Sequence, residues 1–476
     1  MSIGSKAISG TIWASVDKFG TMAISFVVNL VLANLLLPRD FGAIGVLTIF
    51  LSVSQTFIDG GFLSALVQKK DATQTDYSTI FYWNTGFSLI CYAVLFFCAP
   101  AIAQWFNIPE VCPILRVISL NFVISAFNAV QLVKLRKELA FKTCAIINSA
   151  ASLSSGTLGI VMAFNGFGVW SLVAMSVSNT ALSVILYWLV AGWRPSWIFS
   201  FTSFRTLFSF GGYLLFANIL QNICQNLQGV IIGKRFSASD MGLYDQARKL
   251  EQVASSSLSG VLVSVLFPLF SNIQDERKKF HATMDTGVRL ITGIIFPLLV
   301  LFMLVGYPLV DKLYGKEWVE CVPYFRILCI GGLFTCLQNI NFYAVAAVGK
   351  SRELFYWSFY KWGLLLVLLL TGMFFGMDGI MWAIVLSNLN IFLVNAILAQ
   401  RFMGYRFSSQ LRAMFPSVAI CSSGAAISLL LEGVLHLHFL LIVLLFIIYY
   451  VLCLKLFHLK LYDDLIMVAT KIIKHQ

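Results

Sequence analysis

Charged residues are scarce in this sequence. Only 11% of its 476 residues are Asp, Glu, Lys or Arg, whereas a soluble globular chain is about a quarter charged. Hydrophobic residues make up 59% of the chain, and apolar runs long enough to span a bilayer recur along its whole length. The scarcity of charge therefore excludes a soluble protein and leaves no region for a separate soluble domain.

Clustered histidines and cysteines are also lacking. The five histidines lie in predicted loops or at helix ends, and the ten cysteines form no CxxC or Cys/His pattern. A metal site needs such clusters. A membrane enzyme, such as a polysaccharide polymerase, ligase or acyltransferase, needs a sizeable outer loop or a buried catalytic cluster. We therefore expect no metal site and no catalytic residue, and an enzyme is the less favoured alternative.

The apolar runs predict an all-α polytopic membrane protein with about 14 transmembrane helices. The predicted spans are residues 10–36, 42–63, 79–103, 113–133, 144–164, 168–191, 206–232, 245–270, 286–307, 322–347, 354–375, 379–399, 413–431 and 437–457. No cleavable signal peptide is recognised, so the first helix is expected to be an uncleaved anchor.

The distribution of basic residues predicts the orientation. Most Lys and Arg residues fall in loops that are cytoplasmic if the N-terminus is inside, as the positive-inside rule requires. Both termini are therefore predicted to be cytoplasmic, with the C-terminal tail lying as an amphipathic helix on the inner leaflet. The net charge of +12 then reflects topology and contact with anionic membrane lipids, and we expect no nucleic-acid partner.

The second half of the chain repeats the first. The stretch "LLLPRDFGAIG" at 35–45 aligns with "RFSASDMGLYD" at 235–245, and further matches follow in the same order at offsets of 200 to 215 residues. An even number of helices per copy gives parallel repeats, related by an axis along the membrane normal. We predict an N-terminal six-helix bundle over 1–203, a repeated six-helix bundle over 204–405, and helices 13 and 14 with the tail over 406–476.

Polar stripes on the predicted spans indicate a binding site. Such stripes are costly in a bilayer unless they face a water-filled cavity or a polar partner, so we expect a central cavity between the two bundles. Amides suit the hydroxyls of a sugar, and basic side chains suit a diphosphate. The substrate-binding candidates are Lys18, Asn128, Asn218, Gln221, Asn222, Gln225, Arg248, Lys249, Gln252, Arg289, Gln338 and Lys361.

Each candidate also has a simpler interpretation. The amides are alternatively packing contacts between helices, and the charges around Arg248 are alternatively pairs satisfied within one helix. Four carboxylates are candidates for a counter-ion or for coupling to a proton or sodium ion: Asp17, Asp59, Asp245 and Glu251. A counter-ion to Lys18 is the favoured role for the first two. We expect no other cofactor.

Three stretches resemble a known family. "AISGTIWASVDKFGTMAISFVVNLVLANLLLPRDFGAIGV" near the N-terminus, "GFGVWSLV" at 166–173 and "SASDMGLYDQARKLEQV" in mid-chain are similar to the polysaccharide transporter (Wzx-like, colanic-acid-exporter-like) branch of the multidrug/oligosaccharidyl-lipid/polysaccharide (MOP) exporter superfamily. The resemblance covers essentially the whole chain.

The resemblance implies a fold and a function. The fold would be two six-helix bundles in a V around a cationic cavity. The function would be a flippase of the bacterial inner membrane that moves an undecaprenyl-diphosphate-linked oligosaccharide by alternating access, for O-antigen, capsule or exopolysaccharide synthesis. A polysaccharide polymerase is then an expected partner. The alternatives within the superfamily are a lipid II exporter and a multidrug exporter.

Overall fold

A computed structural model describes residues 3–59, 66, 72–138, 140–257, 259–260, 266, 269–435 and 438–456. Within these residues the regular structure is helical. We number the α-helices α1 Ile3–Leu35, α2 Pro38–Gly45, α3 Thr48–Asp59, α4 Gln74–Phe106, α5 Val111–Ile118, α6 Leu120–Ala126, α7 Ala129–Lys137, α8 Phe141–Phe164, α9 Val169–Val190, α10 Phe201–Arg235, α11 Ala238–Gln252, α12 Arg277–Leu304, α13 Gly306–Tyr314, α14 Val322–Ala347, α15 Ser351–Gly372, α16 Gly376–Met403, α17 Phe407–Leu435 and α18 Phe439–Leu456.

The predicted helical membrane fold is confirmed, but the count of fourteen spans is not. Nine helices of the described ranges are long and apolar enough to cross a bilayer. A tenth is added if the pair Val111–Ala126 and Ala129–Lys137, bent by 42°, counts as one span. The predicted C-terminal amphipathic tail lies outside the described residues.

One of the nine spans is a 52-residue stretch, Arg352–Met403, that contains a reversal. It consists of α15 and α16, with Gly376 between them at φ 78°, a conformation that favours glycine. The two helices approach each other through glycines. A Cβ atom placed on Gly372 would lie 2.6 Å from the main-chain oxygen of Gly379. This stretch therefore forms a hairpin of two packed helices.

The chain divides into two compact units, Met1–Gly242 and Leu243–Gln476. The first unit includes α10, whereas the predicted repeat places that helix in the second bundle. The predicted bundle boundary between 203 and 204 concerns the repetition of the sequence, and it stays a prediction.

The turn that the sequence repeats has the same local structure in both copies. After α1, the main-chain N–H of Leu37 donates to Oδ2 of Asp40 at 3.0 Å. After α10, the N–H of Ser237 donates to Oδ2 of Asp240, also at 3.0 Å. An acceptor at this position satisfies a donor at the N-terminus of the following helix, and its negative charge suits that end of the helix dipole.

Two arginines at an offset of 210 residues also make matching contacts. Nε of Arg116 donates to the main-chain oxygen of Phe96 at 3.3 Å, and the guanidinium lies 4.5 Å from that residue's ring centroid. Nε of Arg326 donates to the main-chain oxygen of Met303 at 2.8 Å, and the guanidinium lies 4.8 Å from the ring centroid of Tyr307. Each arginine thus joins its own helix to the C-terminal half of the preceding long helix, at positions that correspond approximately in the predicted repeat.

Candidate functional site

The amide stripe of α10 divides into two sets. Nδ2 of Asn222 donates to Oγ1 of Thr56 at 2.7 Å, and Nδ2 of Asn226 donates to Oγ of Ser52 at 3.1 Å. Both acceptors lie on α3, one helical turn apart. These two amides therefore join α10 to α3 by hydrogen bonds, as the packing interpretation expects.

Three other amides of α10 are exposed. Asn218, Gln221 and Gln225 have the spacing i, i+3, i+7, which puts them on one face of the helix. Exposed carboxamides both donate and accept, so this face is able to bind the hydroxyl groups of a polar ligand. The predicted sugar-binding role stays a prediction for these three residues.

The carboxylate of Asp17 contacts an amide that the sequence did not single out. Nδ2 of Asn148 donates to its two oxygens at 3.1 and 3.2 Å, and the hydroxyl of Tyr187 donates to Oδ1 of Asn148 at 3.1 Å. Tyr187 is buried. This relay joins α1, α8 and α9, whereas Lys18 is exposed and makes no ion pair with Asp17 within the described chain.

Two other candidates lie in the first unit. Asp59 ends α3, and its side chain lies outside the described residues. Asn128 lies at the bend between α6 and α7, and its Oδ1 is buried without a hydrogen-bond partner in the described part of the chain.

Four charges lie close together on α11 in the second unit. Nζ of Lys249 is 2.7 Å from Oδ2 of Asp245, and both side chains are partly exposed. Arg248 is partly buried, and its guanidinium donates to the hydroxyl oxygen of Tyr244. Lys249 is therefore held by a carboxylate of its own helix, whereas Arg248 has a neutral hydrogen-bond partner. Gln252 is partly buried at the end of the same helix.

The fourth charge, Glu251, is buried with only 9% of its surface exposed. It accepts a hydrogen bond from the hydroxyl of Ser255, which lies in a π-helical turn over Val253–Ser257. A Cβ atom on Gly332 of α14 would overlap Oε1 of this carboxylate. Because Gly332 has no side chain, the carboxylate has room beside it. Gly332 was not among the residues predicted from the sequence.

Lys361 lies in the interior of the second unit, with 4% of its surface exposed. Its Nζ donates to Oδ1 of Asn395 at 2.5 Å, and Nδ2 of Asn395 donates to the main-chain oxygen of Gln338 at 3.3 Å. The lysine thus joins α15 to α16 and, through Asn395, to α14. Asn395 was also missed from the sequence.

Arg289 on α12 donates to Oγ1 of Thr286 at 3.0 Å on its own helix. One turn earlier, Asp285 accepts a 2.5 Å hydrogen bond from the hydroxyl of Tyr405, in the connection between α16 and α17. Tyr405 is buried, and this burial together with the hydrogen bond to Asp285 raises its pKa above the ordinary value of 10.0. This contact fixes the connection against α12.

Within the described residues, no three His, Cys, Asp or Glu side chains are grouped so that they could hold a metal ion. The polar groups brought together are of two kinds. The first unit has exposed neutral amides on α10. The second has a partly exposed arginine with a buried carboxylate one turn further along the same helix.

The chain is similar to known proteins of polysaccharide biosynthesis. The sequence profile of a family described as polysaccharide biosynthesis protein matches residues 31–323. The chain is 26% identical over 423 residues to the teichuronic acid biosynthesis protein TuaB of Bacillus subtilis (strain 168), covering 88% of this chain and 86% of that protein. It is 25% identical over 345 residues to the lipopolysaccharide biosynthesis protein WzxC of Escherichia coli (strain K12), covering 71% and 69%.

Solved structures of two transporter types share the fold. The lipid II flippase MurJ in an inward closed conformation superposes with a TM-score of 0.77 at 14% identity. The superposition covers 96% of this chain and 100% of that one. An inward-facing MATE family multidrug resistance transporter of the MOP superfamily gives 0.64 at 16% identity, over 82% and 98%. At these identities the likeness concerns the fold alone.

Proposed function

The chain belongs to the family of polysaccharide biosynthesis proteins, and from that premise we propose that it moves an undecaprenyl-diphosphate-linked oligosaccharide across the bacterial inner membrane. It is a multi-pass membrane transporter of polysaccharide biosynthesis with a MOP-type fold. The proposed substrate has a polar head of sugar and diphosphate on a polyprenyl tail. The protein would act by exposing a polar site to the two faces of the membrane in turn.

The observation that carries the substrate class is the exposed amide row of α10, Asn218, Gln221 and Gln225. An uncharged row that both donates and accepts suits sugar hydroxyls. A drug exporter would favour an apolar and aromatic surface in place of this polar row.

The diphosphate is assigned to Arg248. Arginine binds phosphate oxygens through paired N–H donors and keeps its charge at all physiological pH values. Its neighbour Lys249 would contribute once it leaves Asp245, because a partly exposed ion pair is worth at most about 1 kcal/mol. Lys361 is 4% exposed and donates to Asn395, so we give it no first role in binding. Arg289, which is partly buried and donates to Thr286, stays a candidate.

The physical task supports a transporter over an enzyme. The sugar and the diphosphate cannot enter hydrocarbon without a large desolvation cost, whereas the polyprenyl tail need not leave it. The protein has only to shield the head while it crosses, and no bond of the substrate is broken. Cytoplasmic termini, a coupling proton or sodium ion, and a polymerase that receives the product belong to the same proposal.

Depletion of the protein tests the proposal. The expected result is accumulation of polyprenyl-linked repeat units that remain accessible only from the cytoplasmic face of inner-membrane vesicles. Re-expression should restore their appearance on the outer face. Normal delivery of repeat units to the outer face in depleted cells would contradict the proposal.

A lipid II exporter is the second candidate, because the MurJ fold superposes on 96% of this chain. The same depletion separates the two. If lipid II is the substrate, depletion stops cell-wall synthesis and lyses the cells. If an oligosaccharide repeat unit is the substrate, wall synthesis continues and only the surface polysaccharide is lost.

A further inference from the structure

The two copies of the repeat differ at one pair of contacting positions. In the first unit Leu51 packs against the buried cluster of Leu95, Phe122 and Ala126. The positions at the repeat offsets of 200 and 210 in the second unit are Glu251 and Gly332, which also meet. An apolar contact in one copy is thus replaced by a carboxylate seated against a glycine in the other.

The replacement is matched in shape as well as in position. Phe122 is 2% exposed and fills its site, whereas Gly332 has no side chain and Oε1 of Glu251 lies where its Cβ would be. Ser255, also fully buried, donates to the carboxylate from the π-helical turn. Single π-turns within α-helices occur frequently at functional sites. The second unit therefore contains a formed site for a carboxyl group that the first unit lacks.

Arg248 is the positive charge that acts on this carboxylate. It lies one turn earlier on the same face of α11, and the two charges interact. Arg248 is partly exposed and Glu251 is buried. The arginine is therefore the more accessible of the two charges.

The other titratable groups near Glu251 on α11 and α14 are of two kinds. Some have partners of their own, and two are cysteine thiols close to the carboxylate. On α11, Asp245 and Lys249 pair with each other, and Tyr244 accepts from Arg248. From α14, the thiols of Cys329 and Cys336 lie near Glu251, while Arg326 donates to Met303.

On α12, three titratable side chains have recorded contacts with other residues. His281, Asp285 and Arg289 contact Met403, Tyr405 and Thr286 respectively. Arg248 is therefore the one charged neighbour whose interaction with Glu251 the structure records in the described residues.

We propose that Glu251 in the notch of Gly332 is a proton-binding site, and that a proton there and an anion at Arg248 bind together. The sign follows from electrostatics. The ionised carboxylate repels an anion at Arg248 and weakens the arginine's attraction for it, and protonation removes both effects. By thermodynamic linkage, an anion at Arg248 strengthens proton binding at Glu251 by the same factor. This inference rests on the anion site of the proposed function.

The inference also assigns anion and proton binding to the second copy of the repeat. The first copy has Thr48 and Leu51 at the positions of Arg248 and Glu251, so it holds neither the anion nor the proton. Because only the second copy has this pair, the transporter would bind one proton for each anionic head group of the substrate. The proton would be taken up as the diphosphate arrives and released as it leaves.

Binding of inorganic pyrophosphate to the purified full-length protein tests the linkage. Dissociation constants are measured for the wild type and Glu251→Gln from mildly acidic to mildly alkaline pH, and their ratio is taken at each pH so that titration of the probe cancels. We expect equal affinities at acidic pH, and about tenfold tighter binding by Glu251→Gln at alkaline pH. Glu276→Gln, which removes an exposed carboxylate paired with Lys279, is the control and should match the wild type.

A ratio of one at every pH, with pyrophosphate bound by both proteins, would overturn the linkage and leave the anion site intact. No binding by either protein would overturn the anion site and this inference together.

A second measurement does not depend on the probe. Infrared difference spectra on acidification should show the carbonyl band of a buried protonated carboxyl group in the wild type. The band should be missing in Glu251→Gln and present in Glu276→Gln. A wild-type spectrum without such a band, or a band that persists in Glu251→Gln, would contradict the proton site directly.

Discussion

Gly42 and Gly242, equivalent residues of the repeated turn, pack against each other. A Cβ atom on Gly42 would overlap the main-chain oxygen of Ala238, and one on Gly242 would overlap that of Pro38. Each Cβ would also lie 3.1 Å from the main-chain nitrogen of the other glycine. The contact is reciprocal, as expected where two copies of a motif meet on a local two-fold axis.

Gly42→Ala should destabilise the protein, because a main-chain oxygen cannot move aside as a side chain can. Overpacking of this kind costs about 1–3 kcal/mol. The measurement is the melting temperature of the detergent-solubilised protein. Gly86→Ala is the matched control, since nothing lies within 4 Å of a Cβ at that helical position. It should leave stability unchanged or raise it by about 0.5–1 kcal/mol. Equal melting temperatures for the two variants would contradict the close packing.

The two sets of amides on α10 should respond differently to truncation. Asn222→Ala removes the hydrogen bond to Thr56, and a double-mutant cycle with Thr56→Ala should give a coupling of about 0.6 kcal/mol, as for hydrogen bonds in other membrane proteins. Gln221→Ala, one position away on the exposed face, should leave stability unchanged and lower export of the polysaccharide. Loss of stability in Gln221→Ala together with normal export would reverse the assignment of the two sets.

The helical membrane fold and the repeated turn were predictable because both depend on local sequence patterns. Apolar runs predict helices, and the spacing from Asp40 to Asp240 predicts two copies of one turn, which the structure has. Helical periodicity also put the α10 amides on a stripe. It could not say which neighbour each part of the stripe faces, because Thr56 and Ser52 are far away in sequence.

The residues that were missed share one property. Asn148, Tyr187, Asn395 and Gly332 matter through a partner on another helix, and none is unusual in its own segment. One signal was available for Gly332. Alignment of the two copies puts Glu251 opposite Leu51 and Gly332 opposite Phe122. The second copy thus gains a carboxylate and loses a large side chain, and the two changes together predict that the carboxylate lies beside the glycine.

Tyr405→Phe should lower stability by about 1–2 kcal/mol at neutral pH, because Asp285 loses its hydrogen-bond donor. Because the pKa of Tyr405 is raised in the folded protein, the neutral hydroxyl contributes stability that is fully present below the unfolded pKa. That contribution is lost as the pH rises beyond it. The difference in melting temperature between wild type and variant should therefore be constant below the ordinary tyrosine pKa of 10.0 and shrink above it. A difference that grows in alkali would contradict this account.

Replacing Arg248 and Lys249 together by glutamine should abolish export without loss of folded protein. The two cations supply the charge assigned to the diphosphate, and their removal leaves exposed amides that bind sugar hydroxyls weakly. Loss of Lys249 costs little, because its pair with Asp245 is partly exposed. Loss of Arg248 is offset because the buried Glu251 then takes up a proton and becomes neutral. Export is measured as surface polysaccharide, and folded protein as the monodisperse fraction in detergent.

Replacing Lys278 and Lys279 by glutamine removes the same number of positive charges at the exposed start of α12, and it should leave export unchanged. This control separates a local requirement for Arg248 and Lys249 from a general effect of net charge on topology or lipid contact. Wild-type export by a normally expressed Arg248 and Lys249 double variant would remove these residues from the site. Equal loss of export in both double variants would mean that charge acts through the membrane surface, and that the diphosphate is held elsewhere.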